Sequence, residues 1–247
     1  MRILEVPYDN LGFDSALTRA SALYDARQVA LVSYLNIDCL RLATRNAEYR
    51  AVLQSAAMVL PDGIGIKLAT QFTGARKAAH WIVTDLFVTL IEQLAHRRAR
   101  FYFLGGPEGV AEAAADLLRH ELPGIAIVGC QNGYFYDDAA VIEAINASGA
   151  DVLIVGMGAP RQELWLQRHQ AALKPTLRLA VGALFTWVSG QQPRAPAWVQ
   201  TLHLEWFWRV LLEPGRLFRR YFLEDLPFLI SLPLKGVKAV PGTAERP

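Results

Sequence analysis

Short apolar runs alternate with amphipathic stretches along most of this chain. Residues 29–34, 58–61, 100–104, 126–129, 152–155 and 177–181 are strand-like runs, and 152–155 is continuously apolar, the pattern of a strand buried on both faces of a parallel sheet. Between them lie helix-like segments. In residues 107–121, Val110, Ala113, Ala114, Leu117 and Leu118 fall on one predicted helical face. Alternating β and α elements predict an α/β fold: a Rossmann-like, mainly parallel sheet flanked by helices.

Several of the predicted strands end in glycine turns: Asp62-Gly63-Ile64-Gly65, Leu104-Gly105-Gly106-Pro107 and Gly156-Met157-Gly158. The last belongs to DVLIVGMGAPRQELW, a buried strand followed by a turn and a helix start. Pro160 suits the first helical turn, where a missing N–H costs nothing. Arg161, Gln162 and Glu163 follow in that turn. Helix amides at the carboxyl end of a parallel strand make a natural anion site, although the same pattern also describes an ordinary strand-to-helix turn. A dinucleotide fingerprint would need glycine where Arg161 stands. Several such turns on one sheet edge predict a crevice of nucleotide size.

Composition places the chain among folded proteins: 247 residues, 53% hydrophobic and 19% charged. A net charge of +2 gives no argument for nucleic acid. Two cysteines, Cys39 and Cys130, make no disulfide framework and suggest a reducing compartment. No apolar stretch of signal-peptide length opens the sequence, and no uninterrupted run reaches the roughly 18 residues of a spanning helix. The charge is uneven. Beyond residue 193, eight Lys/Arg face five acids, and four of the six tryptophans lie at or after residue 187. Arginines interleaved with aromatics suit a membrane interface, and equally a helical pair packed on its own domain or on a second subunit.

The ordered set of motifs resembles the WecG/TagA/CpsF glycosyltransferase family. The residues that carry the likeness are Asn36 in SYLNIDCL, Asp62-Gly63-Ile64-Gly65, FLGG at 103–106, GYF at 133–135 and GMGAPRQE at 156–163. They continue with Val181-Gly182 to Gly190, Arg194-Ala195-Pro196, Glu205-Trp206, Arg209, Glu213-Pro214, Arg216 and Arg220-Tyr221. The resemblance implies inverting transfer of a sugar, of N-acetylmannosamine type or glucose, from a UDP-sugar to a polyprenyl-diphosphate-linked sugar. That reaction serves cell-wall or exopolysaccharide assembly. It implies a cytoplasmic protein, peripheral on the inner face of the bacterial membrane. Residues 1–193 would form the transferase domain. Residues 194–247 would form a helical, basic-aromatic appendage that reaches the membrane and closes over the donor. A homo-oligomer is compatible with either use of that appendage.

Inversion is an in-line displacement that needs a base for the acceptor hydroxyl and a positive environment for departing UDP. On the resemblance, Asp62 is the expected base. Asn36, Gly63, Gly65, His80, Asp85, Gln162 and Glu163 are expected to bind substrate, with Gly105, Gly106, Gly156 and Gly158 offering amides. Arg194, Arg209, Arg216 and Arg220 would meet the leaving charge. No Asp-x-Asp pair occurs, so neither metal nor other cofactor is expected; Asp137-Asp138 is read as a solvated helix start. The chain departs from the family pattern at His80, where arginine is usual, at Val83 and Ala183, where glycine is usual or frequent, at Thr186, where aspartate is usual, and at Tyr34, where a small hydroxyl residue is usual. These changes bear on sugar identity. His80 and Thr186 also leave room for a catalytically silent sugar-nucleotide-binding subunit of a polysaccharide assembly complex. A nicotinamide oxidoreductase is disfavoured by the missing third glycine.

Overall fold

A computed structural model describes residues 1–74, 78, 81–193, 195, 196, 199 and 205–234, without the side chains of 205, 209 and 216. Six parallel strands form the central sheet: β3 (Ala30–Leu35), β4 (Met58–Pro61), β5 (Arg100–Gly105), β6 (Ala126–Gln131), β7 (Val152–Gly156) and β8 (Leu177–Ala180), in the order β4-β3-β8-β7-β5-β6. A small antiparallel pair, β1 (Arg2–Ile3) and β2 (Val6–Pro7), precedes them. The six strands are the six strand-like runs of the sequence, displaced by at most two residues at any end. Every residue of β4, β7 and β8 is buried, which is why these runs do not alternate. The edge strand β6 keeps a partly exposed pattern and a register slip opposite Phe101/Tyr102.

Helices cover both faces. On one side α1 (Phe13–Asp25), α5 (Val83–His96), α6 (Val110–Glu121) and α9 (Leu184–Val188) bury Leu90, Phe101, Phe103 and Ile154. On the other, α2 (Ile37–Arg45), α3 (Ala47–Ser55), α4 (Gly63–Phe72), α7 (Asp138–Ser148) and α8 (Arg161–Arg168) close two further clusters. Helix α6 starts at Val110, later than the expected 107, because Gly109 takes a left-handed φ of +79°. Its buried stripe is Val110, Ala111, Ala114, Ala115 and Leu118, while Leu117, expected inside, is exposed. Helix α8 begins at Arg161. Pro160 stands just before it, after a cis Ala159–Pro160 peptide, rather than inside the first turn. Asp137 caps α7 by accepting from the Ala140 N–H, as a helix-start acid should, whereas Asp138 accepts from the Trp165 indole and is not merely solvated.

Beyond residue 204 come α10 (Glu205–Leu212), α11 (Pro214–Phe218), a π-helical segment (Arg219–Asp225) and α12 (Leu226–Leu234). This run is not a loose tail. Leu229 and Leu232 are buried in the same apolar cluster as Ile3, Val6, Leu35, Leu40 and Ile66. No helix of the described residues is long and apolar enough to cross a membrane.

Candidate active site

Parallel strands put their following turns on one edge, and the sheet order divides that edge in two. Neighbouring strands β5 and β7 send the chain in opposite directions, to β6 and to β8, which opens a crevice between their carboxyl ends. The glycine turns meet there. Gly105 and Gly156 are paired in register, and Gly105 has a φ of +148°. The Gly106 N–H donates to the Gly156 carbonyl at 3.0 Å, and the Gly133 N–H to the Gly106 carbonyl at 2.8 Å. The Gly158 N–H is taken by Gln162 Oε1 at 3.2 Å. The amides of Gly106 and Gly158, expected to face an anion, are thus paired inside the fold. The crevice is built by close backbone approach, not by a row of open donors.

Gln162 and Glu163 also lie beneath the surface, although the sequence suggested that they face a sugar. Both side chains have no exposed area. Gln162 Oε1 accepts from the Gly158 and Gly182 amides, and so ties the turn after β7 to the turn after β8. Its Nε2 donates to Glu163 Oε1, which also accepts from the Ser33 hydroxyl at 2.9 Å. The second Glu163 oxygen has no hydrogen-bond partner. Burial raises the Glu163 pKa above the ordinary carboxyl value of 4.5, against the hydrogen bonds from Gln162 and Ser33. A raised folded-state pKa means that the protonated form is favoured by folding. The stability it contributes is complete below about pH 4.5 and is lost as pH rises through the folded value. Glu163→Gln keeps an oxygen for both donors and removes the buried charge. Its thermal midpoint relative to the wild type should therefore rise from pH 5 to pH 8. Parallel melting of the two proteins across that interval would show that Glu163 does not titrate there.

The other half of the edge holds a cavity of about 330 Å³. Its polar wall includes Asn36, Asp62, Thr84, Arg220 and Asp225. Asn36 caps α2, accepting from the Cys39 N–H at 2.9 Å. Asp62 follows β4 as the residue before α4, and makes no side-chain cap to that helix. Its Oδ1 instead accepts from the Val83 N–H, the first amide of α5, at 3.5 Å. The N-termini of α4 and α5 therefore both open at this carboxylate, with their partial positive charge. Ile37, Leu68 and Leu229 form an apolar wall, and Trp206 and Tyr221 reach in from the run after residue 204.

Of the expected site residues, Asn36, Asp62, Gly63, Gly65 and Arg220 line this one cavity. Asp85 is in the first turn of α5 but off the cavity wall, where its neighbour Thr84 stands instead. Gly105, Gly106, Gly156 and Gly158 belong to the β5–β7 crevice. Tyr34 joins the two halves: its hydroxyl crowds the turn at Gly182, and Glu163, Asp62 and Arg220 all act on it electrostatically. Burial, then the nearby Cys39, Glu163 and Asp62, push its pKa well above 10. His80 and Arg194 lie outside the described residues, as do the side chains of Arg209 and Arg216. Among the described residues no three His, Cys, Asp or Glu side chains form a metal-ligand set.

The profile of the Glycosyl transferase WecG/TagA/CpsF family matches residues 1–239. The chain belongs to that family. One relative, the N-acetylglucosaminyldiphosphoundecaprenol N-acetyl-beta-D-mannosaminyltransferase of Bacillus spizizenii (strain ATCC 23059 / NRRL B-14472 / W23), is 30% identical over 239 residues, 94% of this chain and 92% of its own. The protein of the same name from Bacillus subtilis (strain 168) is 29% identical over 215 residues, 87% and 84% of the two chains. In this WecG/TagA/CpsF glycosyltransferase Asp62 lines the cavity. Trp187, Trp206 and Tyr221 were missed as cavity residues by the sequence reading, although the aromatic excess after residue 187 was a signal for them.

Proposed function

We propose that this protein moves N-acetylmannosamine from its UDP conjugate to the sugar of a polyprenyl-diphosphate-linked acceptor, with inversion and without a metal ion. The observation that carries the proposal is Asp62, a carboxylate that shares one cavity with Arg220 and with the apolar Ile37, Leu68 and Leu229. The two relatives support the acceptor class and the sugar. Their names give a β-linked product, and inversion of an α-linked UDP-sugar yields that anomer.

Each part of the displacement has a group to perform it. Asp62 takes the proton of the acceptor hydroxyl as its oxygen attacks the anomeric carbon. The bond from that carbon to the UDP oxygen breaks on the opposite side, and the new charge on the diphosphate is met by the Arg220 guanidinium. Burial works against the charge on Arg220, but Tyr221, then Asp38 and Asp225, hold its pKa above the ordinary guanidinium value, so it enters the reaction fully charged. The apolar wall receives the lipid-proximal part of the acceptor. Exposed Phe218, Leu223, Leu226 and Ile230, with Arg219 among them, form the face that meets the inner leaflet of the cytoplasmic membrane.

The test is transfer to a synthetic polyprenyl-diphosphate N-acetylglucosamine acceptor, with a panel of UDP-sugars in EDTA. A single product from the N-acetylmannosamine donor is expected. Activity that vanishes in EDTA and returns with Mg²⁺ overturns metal independence, and a product from UDP-glucose instead overturns the sugar. No product from any donor, by a folded protein that still binds UDP, would favour a silent binding subunit.

A further inference from the structure

One arginine that is no part of the cavity wall holds together the residues that are. Arg41, on α2, has a side chain only 7% exposed and reaches three acids. Its Nη2 lies 2.5 Å from Asp38 Oδ1, on its own helix, and 2.7 Å from Glu224 Oε2 in the π-helical segment. Its Nε lies 3.1 Å from Asp225 Oδ1. The second oxygens of Asp38 and Asp225 both turn to Arg220, whose Nε is 3.8 Å from one and 3.5 Å from the other. Arg41, Asp38, Arg220 and Asp225 thus form a closed ring of alternating charge. Two corners belong to α2 and two to a segment far along the chain.

The π-helical turn is what makes the ring possible. In an α-helix, residues five apart would point about 140° from each other. The wider turn of Arg219–Asp225 brings Arg220, Glu224 and Asp225 to one side, facing α2. Arg220 and Asp225 line the cavity, whereas Arg41 does not. Glu224 also meets Arg219, at 3.5 Å. Without Arg41, Asp38 and the buried Asp225 would share Arg220 alone, Glu224 would keep only the exposed Arg219, and the hold of the segment on α2 would weaken.

We propose that Arg41 is a positioning residue: it latches the π-helical segment onto α2 through Asp38, Glu224 and Asp225, and so aims Arg220 at the diphosphate of the nucleotide-sugar. The latch stands on the ion pairs themselves. Its effect on the donor rests on the reading that the cavity takes a UDP-sugar, and the two are separable by experiment.

Amide hydrogen exchange of the full-length protein, with UDP titration by calorimetry, tests both parts in Arg41→Gln, Arg41→Lys, Arg220→Gln and the Arg41→Gln/Arg220→Gln double variant. In Arg41→Gln, exchange in residues 219–229 should quicken at least about tenfold, with β5 and β7 unchanged. UDP should bind about tenfold more weakly, the same loss as in Arg220→Gln, and the double variant should be no weaker than either single one. Arg41→Lys keeps the charge but cannot serve three acids at once, and should fall between; it also decides the matter if the glutamine variant does not fold. Unchanged exchange in 219–229, or a rise spread evenly over the sheet, overturns the latch. Faster exchange with undiminished UDP affinity, while Arg220→Gln is impaired, overturns the positioning role. If Arg220→Gln itself binds UDP normally, the donor reading fails, and the exchange result still judges the latch.

Discussion

Asp62→Asn should lower sugar transfer by about a hundredfold or more, the usual contribution of a positioned general base, while UDP affinity and thermal stability stay near those of the unaltered protein. The substitution is nearly isosteric. Its Oδ1 accepts from the Val83 N–H at 3.5 Å, and asparagine retains that oxygen. Asp62 caps α4 with no side-chain hydrogen bond, so no cap is lost there. What disappears is the ability to take a proton. In steady-state assays the loss should fall on kcat rather than on the KM for the donor. Activity within about tenfold of the unaltered enzyme would be too small a loss for a missing base and would refute the assignment.

Gly105→Ala should be the most destabilising single-methyl change on the carboxyl edge. An added Cβ would penetrate the Gly156 backbone, and the residue holds a φ of +148° that side-chain-bearing residues rarely adopt. Neither obstacle can be relieved by rotating a neighbouring side chain, because the obstructing atoms are main chain of the adjacent strand. Backbone strain of ~1–3 kcal/mol adds to the separation of β5 from β7, for a total of about 3 kcal/mol or more. Gly109→Ala is the natural control. It shares a positive φ, +79°, but its added methyl meets open space, so about 1 kcal/mol of strain is expected. The measurement is the urea midpoint of each variant. Equal midpoints would show that the β5–β7 approach yields easily and that the crevice does not depend on it.

The strands were legible in the sequence because a buried parallel strand is mostly apolar, and the exceptions, Ser33 in β3 and Arg178 in β8, are single residues within apolar runs. Helix α6 was legible as a helix but not in its phase, since Gly109 delays its start and turns Leu117 outward. Asn36, Asp62, Gly63, Gly65 and Arg220 were found through their motifs, and the structure gathers them on one wall. Gln162 and Glu163 belong to an equally recognisable motif, yet a motif does not say which way a side chain turns. The Gly158 and Gly182 amides and Ser33 draw these two inward. The ring around Arg41 was hidden for a different reason. The spacing of Asp38 and Arg41 hints at a pair on α2, but nothing local foretells acids at 224 and 225 or the π-helical turn that presents them.

The burial of Leu229 and Leu232 against Ile3, Val6 and Leu35 also sets an order on biogenesis. A ribosome delivers the first strands long before α12. Through most of synthesis the patch around Ile3, Leu35 and Ile66 therefore stays uncovered, an adhesive surface of the kind that recruits chaperones. The pocket is lined by residues from the same late helices, so it too is completed only when they arrive. A nascent or clipped chain would hold Asp62 and the glycine turns and still have no closed place to bring donor and acceptor together. The closed pocket is in this sense a late product of synthesis, withheld until α12 has docked.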